Sequence, residues 1–203
     1  MSDKKIRAVL FDFGGVIASE GFAAAMHALA RRQGLDGDAL LRTATDAVYD
    51  SGYVTGNGSE ADFWALLRER SGLRGDDAEL RREVLSRFRV RPGMIELVRG
   101  LRRSGLLVGI LSDQTDWLDL LDAEQHFYRE FDRVFNSYRL GKGKRDPSLF
   151  DDVVAMLGLK PEQVIFIDDN PGNVERARSR GLHGLLFRDE DTLRAELDRL
   201  LAE

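Results

Sequence analysis

Five short apolar runs punctuate the chain: Ala8-Val9-Leu10-Phe11, Leu106-Leu107-Val108-Gly109-Ile110-Leu111, Val134-Phe135, Val164-Ile165-Phe166-Ile167 and Gly184-Leu185-Leu186-Phe187. A strand with no polar alternation has no face to give to water, so these runs predict strands buried on both sides in a parallel sheet. Amphipathic stretches at 94–103, 148–157, 173–180 and 191–201 predict the helices that cover it. The β-helix-β rhythm implies an α/β fold with a Rossmann-like, doubly wound parallel sheet.

Between the first two runs the texture changes. Residues 19–88 show no strand pattern, whereas Phe22, Ala25, Met26 and Leu29 recur at i, i+3, i+4, i+7. Phe63, Leu66 and Leu67 repeat that spacing after Ser59-Glu60-Ala61-Asp62, a helix start with a serine cap and an acid three residues on. These stripes are packing faces. Thr55-Gly56-Asn57-Gly58 and Arg91-Pro92-Gly93 predict turns, the second being the hinge back into the sheet. The predicted organisation is a discontinuous core, 1–18 plus 89–203, carrying an inserted all-helical cap at 19–88.

Composition narrows the function. At 203 residues and 43% hydrophobic, the chain buries enough surface to fold without staples. It has no cysteine, which excludes disulfides, a thiolate nucleophile and Cys-bearing zinc sites. The formal charge of −5 argues against nucleic acid or anionic lipid as partners, since both need a basic face. Met1-Ser2-Asp3-Lys4-Lys5-Ile6-Arg7 runs straight into the first strand, and no segment reaches the roughly 18 apolar residues of a membrane span, so a soluble cytoplasmic protein is expected. His27, His126 and His183 show no metal-ligand spacing and are expected at the surface or in packing.

In an open parallel sheet, ligands bind beyond the carboxyl ends of the strands. There the first run gives Asp12-Phe13-Gly14-Gly15-Val16, the second Ser112-Asp113 and the fourth Asp168-Asp169, with Lys144 in the connection after the third. Carboxylates, a hydroxyl and a lysine converging on one edge repel one another unless a cation and an anion join them. That combination points to a metal ion and a phosphate.

The same segments, in this order, resemble the four motifs of the haloacid dehalogenase superfamily, whose members are mostly magnesium-dependent phosphatases. Val9 to Val16 is similar to the first motif, Gly109-Ile110-Leu111-Ser112 to the second, Gly141 to Pro147 to the third and Phe166 to Asn173 to the fourth. The helical insert resembles the family's C1-type cap, and the Phe-Asp-x-Gly-x-Val start resembles its sugar-phosphate phosphatase branch, such as glucose-1-phosphate phosphatase. The resemblance implies that Asp12 attacks phosphorus to form an aspartyl-phosphate. It makes Ser112, Asp113, Lys144 and the backbone at Gly14 and Gly15 the phosphate-binding groups. Asp12, the Gly14 carbonyl, Asp168 and Asp169 become the Mg²⁺ ligands, with Asn173 orienting them from the next helix. Lys142 competes for the lysine role, but the Lys144-Arg145-Asp146-Pro147 run matches the motif better. The implied partner is a small phosphorylated molecule.

Three positions depart from the family pattern. Its phosphatases usually carry a second aspartate, the general acid and base, two residues after the nucleophile, where this chain has Gly14. Without that proton donor, anomeric, aryl or acyl phosphates with weakly basic leaving oxygens are the expected substrates. Arg145 stands where proline is usual, and Asp113 where asparagine is frequent; Asp113 is one candidate to replace the missing acid. Tyr49, Tyr53 and Arg68 of the insert are expected to be structural. Two other functions fit the same residues: a metal-independent 2-haloacid dehalogenase, whose halide leaving group needs no proton, and a catalytically weak binding protein of the same fold.

Overall fold

The computed structural model describes residues 6–202, so the first five residues of the sequence and the last lie outside it. The apolar runs form strands β1 (Ala8–Phe11), β2 (Leu107–Ser112), β3 (Arg133–Asn136), β4 (Val164–Asp168) and β5 (His183–Leu186). They pair in parallel in the order β3-β2-β1-β4-β5. Val9 of the central strand lies between Val108 of β2 and Ile165 of β4. From β1 the sheet grows first toward β3 and then toward β5, so the carboxyl end of β1 is the topological switch point where such sheets bind ligands.

All four residues of β1 are buried, which accounts for its unbroken apolar sequence. Successive side chains point to opposite faces. Ala8 and Leu10 join a cluster with Leu149, Phe150 and Val153, while Val9 and Phe11 join one with Val98, Leu118 and Leu193.

The segment between β1 and the next core helix consists of α1 (Gly21–Gln33), α2 (Gly37–Asp50), a short 3-10 turn (Tyr53–Thr55), α3 (Glu60–Ser71) and α4 (Asp77–Leu85). Each start is capped by an acidic or hydroxyl side chain: Glu20 accepts from Ala23 N–H, Asp36 from Ala39, and Asp76 from Ala78. At α3, Ser59 and Asp62 form a reciprocal capping box. The chain leaves and returns through one antiparallel bridge between Ala18 and Val90, reinforced by Ser19 N–H to Arg89 O at 2.9 Å and Arg91 N–H to Ile17 O at 2.9 Å. The insert's apolar faces are continuous with the cluster on one side of the sheet. The rings of Tyr53 and Trp64 each lie 5.7 Å from that of Trp117. Truncating a buried aromatic such as Trp64 costs about 3–5 kcal/mol.

The remaining helices are α5 (Pro92–Arg103), α6 (Trp117–Gln125), α7 (Ser137–Leu140), α8 (Ser148–Leu157), α9 (Pro171–Ser179) and α10 (Glu190–Ala202). Arg91-Pro92-Gly93 is not a free turn, because Pro92 opens α5, where its missing N–H costs nothing. No helix among the described residues is long and apolar enough to cross a membrane.

Candidate active site

Four strand and loop ends converge on Asp12. The residue follows β1, and its N–H is held by the carbonyl of Ile167 at 2.8 Å, which fixes the carboxylate beside the end of β4. Oδ1 of Asp12 accepts three hydrogen bonds: from Phe13 N–H at 2.7 Å, from Ser112 Oγ at 2.7 Å and from Lys144 Nζ at 2.9 Å. The same ammonium donates to Asp168 Oδ2 at 2.6 Å. Asp168 also accepts from Asn170 N–H at 2.8 Å and from Asn173 Nδ2, at 3.0 and 3.2 Å to its two oxygens.

Lys144 is 1% exposed and Asp168 fully buried. A buried ammonium is tolerated here only because it is shared between two carboxylates. Burial opposes its charge, but Asp12, Asp168 and Asp113 outweigh that and hold it well above the usual lysine range. For Asp12 the balance tips the other way. Burial, helped by the negative charge of Asp168, outweighs Lys144 and the Ser112 hydrogen bond and pushes the carboxyl from 3.8 up to about 7.

Asp12, Asp168 and Asp169 each offer an oxygen within 4.8 Å of the others. Three hard oxygen donors at that spacing suit a divalent cation such as Mg²⁺. Asp169 is raised by burial and then by Asp168, as expected of carboxylates crowded together without a cation. Gly15 makes the crowding possible: at φ +82° a Cβ there would run into the Asp169 carboxylate. Gly14 is different, since a Cβ would meet only Phe88 Cε1 at 3.4 Å and Gln114 Nε2 at 4.0 Å.

The backbone of Lys144 is braced from both sides. Its N–H donates to the Asp113 carboxylate at 2.8 and 3.1 Å, and its carbonyl accepts from Arg176 Nε at 2.7 Å. Arg176 also reaches Asn173 Oδ1 at 2.6 Å, tying the Lys144 loop to α9. Asp113 further accepts a hydrogen bond from the Tyr49 hydroxyl of α2. Arg145 turns to the insert, its guanidinium 3.6 Å from the centre of the Tyr49 ring and 3.8 Å from Asp46.

Above this edge lies a cavity of about 270 Å³ floored by Asp12, Ser112 and Lys144 and walled by Phe22, Tyr49 and Trp117. The structure thus brings Asp12, Gly14, Ser112, Asp113, Lys144 and Asn173 to one cavity, with Asp168 and Asp169 beside Asp12. Lys142 lies outside it, bonded to Ser148 and Asp152. Arg68 pairs with Asp77 and Tyr53 with Asp116, whereas Tyr49 faces the cavity. His27 is near Asp38, His126 closes α6 and His183 touches Glu162 O, all away from the site. Sequence reasoning missed Glu20, Gln114 and Arg176, which also line the cavity. Arg176 carried a signal, since it falls three residues after Asn173 on the same helix face.

The haloacid dehalogenase-like hydrolase family model matches residues 6–181, and the chain belongs to that family of hydrolases. The D-ribitol-5-phosphate phosphatase of Bacteroides thetaiotaomicron is 26% identical over 87% of this chain and 89% of its own length. Bifunctional epoxide hydrolase 2 of Sus scrofa is 25% identical over 96% of this chain, which spans only 39% of that longer protein. Among solved structures, a HAD family enzyme from B. thetaiotaomicron superposes with a TM-score of 0.73 at 21% identity, covering 95% of this chain and 99% of that one. The L-2-haloacid dehalogenase of Xanthobacter autotrophicus gives 0.65 at 22% identity, over 96% and 83%. At these identities the structural likeness is one of fold.

Proposed function

We propose that this hydrolase is a Mg²⁺-dependent phosphatase of small phosphate monoesters that works through an aspartyl-phosphate on Asp12. One observation carries the reading: three carboxylates crowd within 4.8 Å while a single buried lysine neutralises only part of their charge. Such a cluster repels an anionic substrate unless a cation completes it.

On this reading Asp12, Asp168, Asp169 and the Gly14 carbonyl hold the ion, which when bound neutralises charge on the phosphoryl oxygens. Ser112 and Lys144 hold the Asp12 carboxylate ready, through Oδ1, for attack on phosphorus. As charge shifts onto the transferring group, the same hydroxyl and ammonium stabilise it. Asn173 and Arg176 keep Asp168 and Lys144 in register. Residues 19–88 act as a cap, and the 270 Å³ cavity beneath limits the substrate to a small molecule.

The chemistry of a 2-haloacid dehalogenase is favoured by one feature, Gly14, because halide departure needs no proton. The two readings separate in one assay. Phosphate release from an aryl phosphate should require Mg²⁺ and stop with EDTA. Chloride release from a 2-chloro acid in EDTA, without phosphatase activity, would instead establish the dehalogenase.

A further inference from the structure

Breaking the ester bond of an alkyl phosphate releases an alkoxide, which is a poor leaving group unless a proton reaches it as the bond breaks. Three carboxyl groups line the cavity: Asp12, Asp113 and Glu20. Asp12 is the nucleophile of the reading above. Asp113 is committed as an acceptor, since its oxygens take the Lys144 N–H and the Tyr49 hydroxyl, and protonation would undo the brace on Lys144. The other cavity protons are held no more loosely. Lys144 is clamped between two carboxylates, and burial, aided by Asp113, drives the Tyr49 phenol far above its usual range.

Glu20 is held more lightly, by the backbone N–H groups of Phe22 and Ala23 at the start of its own helix. It stands at the start of α1, where the insert leaves the sheet, and one oxygen, Oε2, caps the helix by accepting from Ala23 N–H at 3.0 Å. It lines the same cavity as Asp12, Gly14 and Phe22. We propose that Glu20 is the catalytic acid and base of this site, protonating the leaving oxygen of a phosphate monoester and later deprotonating the water that frees Asp12. This assignment rests on the phosphatase reading.

The steps balance. In the first, an Asp12 oxygen forms a bond to phosphorus, the bond from phosphorus to the ester oxygen breaks, and that oxygen takes the Glu20 proton and departs as an alcohol. In the second, water attacks phosphorus and gives a proton to the Glu20 carboxylate, and the Asp12–phosphorus bond breaks. Inorganic phosphate leaves with both side chains restored. The environment suits this role: Glu20 stays in contact with solvent, and partial desolvation by its neighbours, with a contribution from the charge of Asp169, raises its carboxyl above the usual range despite the capping N–H.

Glu20→Gln tests the proposal cleanly, because the amide oxygen can still accept the Ala23 N–H while the transferable proton is lost. With saturating Mg²⁺, kcat/KM, which covers only the steps up to departure of the leaving group and not the later hydrolysis shared by all esters, is measured on p-nitrophenyl phosphate, whose leaving group needs no proton, and on glycerol phosphate, whose leaving group does. The expected result is a loss of about 10²-fold on glycerol phosphate against less than about tenfold on the aryl ester, at an unchanged melting temperature. Equal losses on both esters, or none on either, would overturn the role of Glu20 and leave the phosphatase reading standing. A wild-type protein that releases phosphate from neither ester would overturn both. A measurement independent of the variant is the wild-type rate over graded leaving groups: a shallow dependence on leaving-group pKa supports an acting acid, and a steep one refutes it.

Discussion

The strand-end edge and the helical insert face each other across one cavity, yet they are built by opposite rules. On the edge every group is held several times over: Asp12 Oδ1 by three donors, Asp168 by Lys144, Asn170 and Asn173, and the Lys144 backbone by Asp113 and Arg176. The insert, apart from Glu20 at its junction with the sheet, brings mostly apolar wall, Phe22, Val48 and Val54, and reaches the edge through the Tyr49 contacts to Asp113 and Arg145. Groups that do chemistry must be placed to a fraction of an ångström, whereas a wall that selects substrates only has to fit. The edge is therefore the part of this site that tolerates least change.

The sharpest way to break that contrast is at Asp12, the nucleophile of the proposed phosphatase reading. Asp12→Asn is expected to lower turnover by at least about 10⁴-fold with the far-ultraviolet circular dichroism unchanged, because an amide cannot form the phosphoenzyme. Near-native activity would end the covalent mechanism. Next comes the buried cation: Lys144→Met leaves Asp12 and Asp168 buried without their partner and should destabilise the metal-free protein by about 3–5 kcal/mol in denaturant titrations. A loss below about 1 kcal/mol would show that water already screens the pair or that the carboxyl groups take up a proton in place of the lysine.

The carboxyl groups at the edge, with Glu20 where the insert joins it, also impose a pH dependence. In the metal-free protein the Asp12 carboxyl rises from 3.8 to about 7, and Asp169 and Glu20 rise too. For an acid whose native pKa lies above the unfolded one, the native state binds the extra proton, so stability is full below the unfolded value and falls as pH climbs toward the native one. The melting temperature should therefore drop between about pH 4 and pH 7, and added Mg²⁺ should restore most of the loss. A melting temperature that rises across this window in the absence of metal would mean that Lys144 dominates the balance. The smallest expected effect belongs to the insert. Tyr49→Phe removes the hydroxyl from Asp113 but keeps the ring under Arg145, and should change KM by less than about tenfold with kcat nearly constant. A kcat loss as large as that of an edge variant would show that the Tyr49 contact to the Asp113 brace sets the chemistry as well as the fit.

Much of the edge was legible in the chain because unbroken apolar runs such as Val164 to Ile167 mark where strands end, and reactive residues placed there are forced together by a parallel sheet. The choice between Lys142 and Lys144 shows the next level: two residues apart, one lies on the surface against Asp152 and the other is buried between two aspartates. Glu20 and Tyr49 were not legible as site residues. Glu20 looks like any acidic cap before a helix, and the direction of Tyr49 depends on how α2 packs over the sheet, which its own periodicity does not contain. Asp113 was legible as a candidate at the end of β2, but its bracing contacts with Lys144 and Tyr49 depend on the fold.

The distances along the chain between the converging groups have a consequence for folding. The Ser112–Asp12 hydrogen bond spans 100 residues, and Lys144 and Asp168 are drawn in from further still. Contacts of such sequence separation close late, because each must overcome the entropy of the loop it ties off. A fragment that stops short of Asp169 lacks part of the constellation, so a nascent chain has no complete site until nearly all of the sheet has been made. The site exists only when the central strands are in place, and any probe that reads it, metal binding included, reads completed folding of the sheet.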